Sequence, residues 1–144
     1  MSEWLIREVI AKDTDSIIAL WRSVFPEYFD PTKPQRAPKA SIERKLAFDD
    51  GLFWLAENAQ RSVVGTVMAG YDGHRGWIYS FGVTEGERGA GLSHALLQHA
   101  ERALQARGCV KINLQVGAAN VRAQKFYASA GYVDDGLVSL GKRV

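Results

Sequence analysis

The chain has 144 residues, 47% of them apolar and 24% charged, the composition of one soluble globular domain (residues 1–144) able to bury most of its unfolded surface. A net charge of +2, from 18 basic and 16 acidic residues, is too balanced to attract nucleic acid by field alone. No apolar run approaches the roughly 20 residues of a membrane span, so neither nucleic acid nor membrane is an expected partner.

The opening MSEWLIREVIAKDTD interleaves Glu3, Arg7 and Glu8 with its apolar residues, so no secretory leader is expected. With Cys109 as the single cysteine, no internal disulfide can form, and a reducing compartment, the cytoplasm, is the expected location. Trp4 to Ile10 has strand composition. Asp13 or Thr14 offers an N-cap, and Ile17, Leu20, Trp21 and Val24 recur at helical spacing up to Phe25-Pro26. All four prolines fall in FPEYFDPTKPQRAPK, which reads as a loop. Ser41 can cap a short helix carrying Ile42, Leu46 and Phe48.

From Leu52 the period changes to two. Phe53 to Ala56, Ser62 to Tyr71 and Gly76 to Val83 read as successive antiparallel strands, joined by turns at Asn58 to Arg61 and at Asp72-Gly73. A long helix follows, with Leu92, Leu96, Ala100, Ala103 and Leu104 on one face and Gly108 beyond its end. Lys111 to Val116 alternates as a half-buried strand. Asn120 to Ala130 is helical and stops at Gly131. Tyr132 to Val133 and Val138 to Leu140 form a last hairpin around Asp135-Gly136. The strand–helix–strand crossover makes its two strands parallel, so the class is α+β with a mixed sheet of about seven strands and four helices.

The stretch from Gly86 to Leu97, GERGAGLSHALL, joins a strand to a helix. A helix N-terminus carries unpaired N–H groups and the positive end of the macrodipole, and glycines let a phosphate approach them. Arg88 adds a cation and Ser93 a hydroxyl. The stretch lacks the Walker GxxxxGK[ST] and the Rossmann GxGxxG in a first βαβ unit. On the residues alone, an anion cradle and a plain flexible turn both remain open.

Val83 to Ser93, VTEGERGAGLS, resembles the coenzyme A signature V-x-P-x-x-R-G-x-G-[IL]-[GA] of the GNAT superfamily of N-acetyltransferases. Glu85 replaces the usual proline, and Ser93 the usual glycine or alanine. Asn120 to Tyr132, NVRAQKFYASAGY, resembles the same family's N-x-x-A-x-x-[FL]-Y-x-x-x-G-[FY]. The order of elements is also the family's, so the resemblance covers nearly the whole chain. VVGTVMAGYDGHRG and the closing LVSLGKRV look most like the small YpeA-type members.

The resemblance implies direct transfer of an acetyl group from acetyl-CoA to an amine of a small molecule or peptide, in a ternary complex, with no metal. It implies a sheet splayed between the fourth and fifth strands, with the pantetheine arm against Phe81 and Val83. The pyrophosphate would lie on Arg88, Gly89, Ala90, Gly91, Leu92 and Ser93, and Asn120 would lie by the coenzyme. Tyr127 would be the general acid, since phenols titrate at about 10 and stay protonated at neutral pH. Read as plain structure, Tyr127 is a core tyrosine and Asn120 an N-cap.

Many relatives carry a glutamate on the strand matching Trp77 to Val83, and this strand has no carboxylate. No base is assigned; Tyr79 and Ser80 could hold a water chain, while Asp72 and His74 read as turn residues. Trp21, Arg22, Phe25 and Tyr28, with Phe29, are candidates for an acceptor wall, although Trp21 also fits the helix stripe. His94 and His99 lack metal-ligand spacing and are expected in solvent, and Cys109 reads as a small core residue. The closing strands leave an edge that a second copy could use to form a homodimer. The competing readings are a catalytically silent acyl-CoA-binding sensor or partner-binding module, and an unrelated protein with a structural glycine turn.

Overall fold

Apolar side chains that alternate along a chain need a sheet to bury them, and here they form five strands. The computed structural model describes residues 3–33 and 37–144, leaving Pro34 of the proline-rich loop outside the described residues. Contacts gather into two units, Met1–Leu114 and Gln115–Val144, each taken by itself.

In the first unit the elements are β1 (Leu5–Glu8), α1 (Thr14–Val24), α2 (Pro38–Phe48), β2 (Phe53–Glu57), β3 (Val63–Tyr71), β4 (Gly76–Val83), α3 (Leu92–Ala106) and β5 (Ile112–Leu114). The strands lie in the order β1-β2-β3-β4-β5, antiparallel except for the last pair. Phe53 and Leu55 of β2 join Met68 of β3 in a core with Ile17, Leu20 and Trp21 of α1 and Ile42 of α2. The alternate residues face α3, whose stripe of Leu92, Leu96, Leu97, Ala100 and Leu104 is fully buried. β2 is therefore apolar on both faces, as a central strand between two helical layers requires.

Three local expectations change. The second helix starts at Pro38, with Ala37 as its N-cap residue, and Ser41 lies inside it with its N–H on the Ala37 carbonyl at 3.0 Å. Proline suits that first position because its missing N–H would have no helical partner there. Asp13 does stand at the N-cap of α1, but its carboxylate takes hydrogen bonds from Arg7 (2.8 and 2.9 Å) and from the Ile10 N–H (2.8 Å). The Arg7 guanidinium holds that carboxyl below its ordinary range. His99 does not point freely into solvent: its ring stands edge-on to Trp54 at 5.2 Å, half-buried. Cys109 is a buried core residue, as expected.

The second unit carries α4 (Val121–Ser129). The expected closing hairpin is absent among the described residues, so the sheet has five strands instead of seven. The turn exists, with the Gly136 N–H on the Asp134 carboxylate at 2.7 Å. Its flanks do not pair because Val133, Leu137, Val138 and Leu140 are 79–90% exposed and have no covered face to align them. Among the described residues no helix is long and apolar enough to cross a membrane.

Burial, then the charge of Arg102, lowers the His99 pKa below the ordinary histidine value. The folded state therefore binds this proton less readily than the unfolded state. Its contribution to stability is complete above the unfolded value of about 6.5 and is lost as pH falls through the lowered folded value. Thermal unfolding followed by circular dichroism is expected to show a Tm that falls on acidification below about pH 6.5, and falls less in His99→Gln.

Candidate active site

The site begins with an irregularity in β4. Thr66 pairs with Gly82 and Met68 with Tyr79, so two residues of β4, Ser80 and Phe81, stand opposite the single Val67. This is a β-bulge, and it places Ser80 at φ +45°, in the left-handed region unusual for a residue with a side chain. β5 accompanies β4 only over Gly76–Ile78, in parallel register with Ile112–Leu114. Beyond Ile78, where the pairing with β5 has ended, β4 carries the bulge.

The bulge is held from α1. The indole N–H of Trp21 donates to the Thr66 hydroxyl at 2.9 Å, and that hydroxyl donates to the Ser80 carbonyl at 2.9 Å. Trp21 and Thr66 are both fully buried. Tyr28, in the turn Pro26–Phe29, pairs its hydroxyl with Ser80 Oγ at 3.1 Å. The ring of Phe25 stacks on Tyr28 at 4.7 Å and lies over Gly82. A Cβ at Gly82 would come within 2.7 Å of that ring, so only glycine lets the end of α1 approach β4.

Among the expected acceptor residues the structure therefore separates two roles. Trp21 has no exposed surface and cannot be a wall; it packs edge-on to Tyr28 at 5.5 Å and positions Ser80 through Thr66. Tyr28, Phe25, Ser80 and Tyr79 retain exposed surface beside the bulge. Arg22 is exposed, with its guanidinium 4.4 Å above the Phe29 ring. Thr66 escaped the sequence reading; the signal was a lone hydroxyl inside the apolar run VVGTVMAG.

At the far end of β4, Val83 is buried and pairs with Gly65. A short turn, Glu85–Glu87, leads to Arg88, Gly89, Ala90 and Gly91, all exposed. Glu87 accepts the indole N–H of Trp4 at 3.1 Å. Gly91 is the N-cap residue of α3 at φ +93°, and no side chain caps the first turn. A Cβ at Gly89 or Gly91 would meet nothing within 4 Å. These glycines serve no internal packing; Gly89, Ala90 and Gly91 leave the backbone before α3 exposed, a surface that fits a pyrophosphate. Leu92, also expected in the cradle, is wholly buried.

In the second unit Asn120 is the N-cap of α4, accepting the Ala123 N–H at 3.1 Å. Tyr127 is half-buried, edge-on to Phe126 at 5.5 Å and to Tyr132 at 5.9 Å. Among the described residues no three His, Cys, Asp or Glu side chains converge as metal ligands.

Residues 15–132 match the model of the acetyltransferase (GNAT) family. Solved structures agree in fold. Ard1 from Thermoplasma volcanium is 25% identical, with a TM-score of 0.75 over 90% of this chain and 82% of that one. The aminoglycoside N-acetyltransferase AAC(6')-Iy in complex with CoA is 18% identical, with a TM-score of 0.80 over 99% and 96%. A predicted acetyltransferase with acetyl-CoA from Clostridium acetobutylicum is 19% identical, with a TM-score of 0.74 over 96% of each chain.

Thr66→Val keeps the shape of the side chain but leaves the buried Trp21 indole without its acceptor. Urea denaturation is expected to show a loss of about 1–3 kcal/mol. An unchanged midpoint would mean that this hydroxyl does not hold the bulge.

Proposed function

The chain belongs to the acetyltransferase (GNAT) family, and we propose that it passes an acetyl group from acetyl-CoA directly to an amine of a small molecule or peptide, in a ternary complex. The observation that carries this reading is the open, uncapped start of α3 behind Gly89 and Gly91, with Arg88 exposed beside it. Acetyl-CoA would supply the activated acyl thioester.

In this reading Arg88 and the backbone N–H groups from Gly89 to Ser93 hold the pyrophosphate, the dipole of α3 adding to the attraction. The backbone of Phe81 and Val83 receives the pantetheine arm, as a sheet edge receives an added strand. The bulge turns its peptide groups out of the β3 ladder, where an N–H can stabilise an oxyanion. Tyr28 and Ser80, hydroxyls 3.1 Å apart, take the place of the missing carboxylate by relaying the ammonium proton to water. Tyr127 is assigned as proton donor and Asn120 as a coenzyme neighbour by the second family segment. The family match crosses the boundary between the two units, which supports reading residues 1–144 as one catalytic domain.

One observation favours the alternative of a silent acyl-CoA sensor: β4 has no carboxylate at all. A coenzyme A release assay over a wide amine panel, beside calorimetric titration with acetyl-CoA, separates the two. Arg88→Ala is expected to weaken acetyl-CoA binding about tenfold, the worth of one charge-assisted contact. Tyr127→Phe should lower kcat by about 10²–10⁴ while leaving acetyl-CoA affinity in place. Binding without turnover of any amine would favour the sensor, and no binding would remove both readings.

A further inference from the structure

Trp77 and Tyr79 point to the face of β4 opposite the buried Ile78, the face that carries Met68 and the α1 core. Their rings lie nearly parallel, 18° apart with centroids at 6.4 Å. Tyr79 is 49% exposed and Trp77 half-buried. Trp77 pairs with Asn113 of β5 on one side and on the other with Gly70, which has no side chain to cover them, and Tyr79 lies in contact above Gly70 at 3.7 Å from an added Cβ. The two rings thus form a partly exposed aromatic shelf, bounded at one end by Ser80 and Tyr28 and at the other by the β3–β4 turn.

That turn presents a fixed anion. Asp72 Oδ1 accepts the N–H groups of His74 (2.7 Å) and Arg75 (2.8 Å), which holds its carboxyl below the ordinary range and leaves Oδ2 exposed. Among the described residues Asp72 forms no ion pair; the neighbouring Arg75 guanidinium bonds the His74 carbonyl instead, at 3.3 Å. The carboxylate lies close enough to Tyr79 to add to burial in raising the phenol pKa, so the shelf stays uncharged.

We propose that this shelf binds a second positive charge on the acceptor, and that the preferred acceptors are small amines carrying another cation about 10 Å from the reacting nitrogen. The length follows from the three residue steps from Ser80 at the bulge to Trp77, at about 3.3 Å each. The sign follows from the electron-rich ring faces and the carboxylate beyond them, which act together on a cation and against a phosphate. The position of the reacting nitrogen at the bulge rests on the transferase reading; the shelf itself does not.

The test compares kcat/KM for octanediamine and aminooctanol, equal in length and differing in the charge of the far end. Wild type is expected to prefer the diamine about tenfold, from an exposed cation–π contact and an exposed ion pair acting together. The preference should decline with added salt and approach parity in Asp72→Asn, whose amide oxygen can still accept both turn N–H bonds, and in Trp77→Leu. Equal efficiencies in the wild type would overturn the proposal. If no amine is turned over, tryptophan fluorescence quenching by aminooctyltrimethylammonium decides. Quenching that disappears in Trp77→Phe keeps the shelf and removes only the transferase reading, whereas no quenching overturns the shelf.

Discussion

One buried hydroxyl joins the parts of this protein that have to act together. Thr66 accepts from the Trp21 indole and donates to the Ser80 carbonyl, both at 2.9 Å, with no solvent to take the place of either bond. A polar group in that position is costly unless fully paired, so the geometry of α1, β3 and β4 is settled by one another. The left-handed Ser80 is the consequence. A side-chain-bearing residue in that region costs on the order of 1–3 kcal/mol and persists only where its surroundings over-determine it. Thr66 holds its carbonyl and Tyr28 its hydroxyl.

From that constraint the architecture of the site follows. The parallel pairing with β5 stops after Ile78, and β4 then takes its extra residue and runs on towards Val83 and the exposed glycines. The same strand therefore carries three chemistries in order: an aromatic shelf, a strained bulge, and the lead-in to an uncapped helix. The layers on its two faces are dissimilar. α3 fills one with leucine and has no side chain capping its N-terminus, while α1 and its following turn leave part of the other open beside Ser80. In the proposed reaction an acyl donor and an acceptor would approach this one strand from different directions, the positioning that direct transfer requires.

Much of this was legible residue by residue. The helical stripe of α3, the apolar runs of β2, β3 and β4, and the glycine–arginine approach to α3 each depend on neighbours a few positions apart. What failed depended mostly on distant ones, with Ser41 a local exception. Ser41 had the chemistry of a cap, but Pro38 fitted the first turn better. His99 looked solvated until Trp54 of β2 came beneath it. The final hairpin had a sound turn and alternating apolar residues, yet a strand also needs a covered face, and Val138 and Leu140 have none.

The amino-acid sequence by itself determined the fold class, the family and the exposed glycine–arginine turn before α3, because periodicity, glycine and a fixed cation act locally. Only the tertiary structure decided that Trp21 is a support and not a wall, that Thr66 matters, and that Trp77, Tyr79 and Asp72 share one surface. The physical reason is the same in each case. Burial, ring stacking and the satisfaction of a buried hydroxyl are properties of pairs of residues. In Trp21–Thr66 those pairs stand 45 positions apart, beyond the reach of any local pattern.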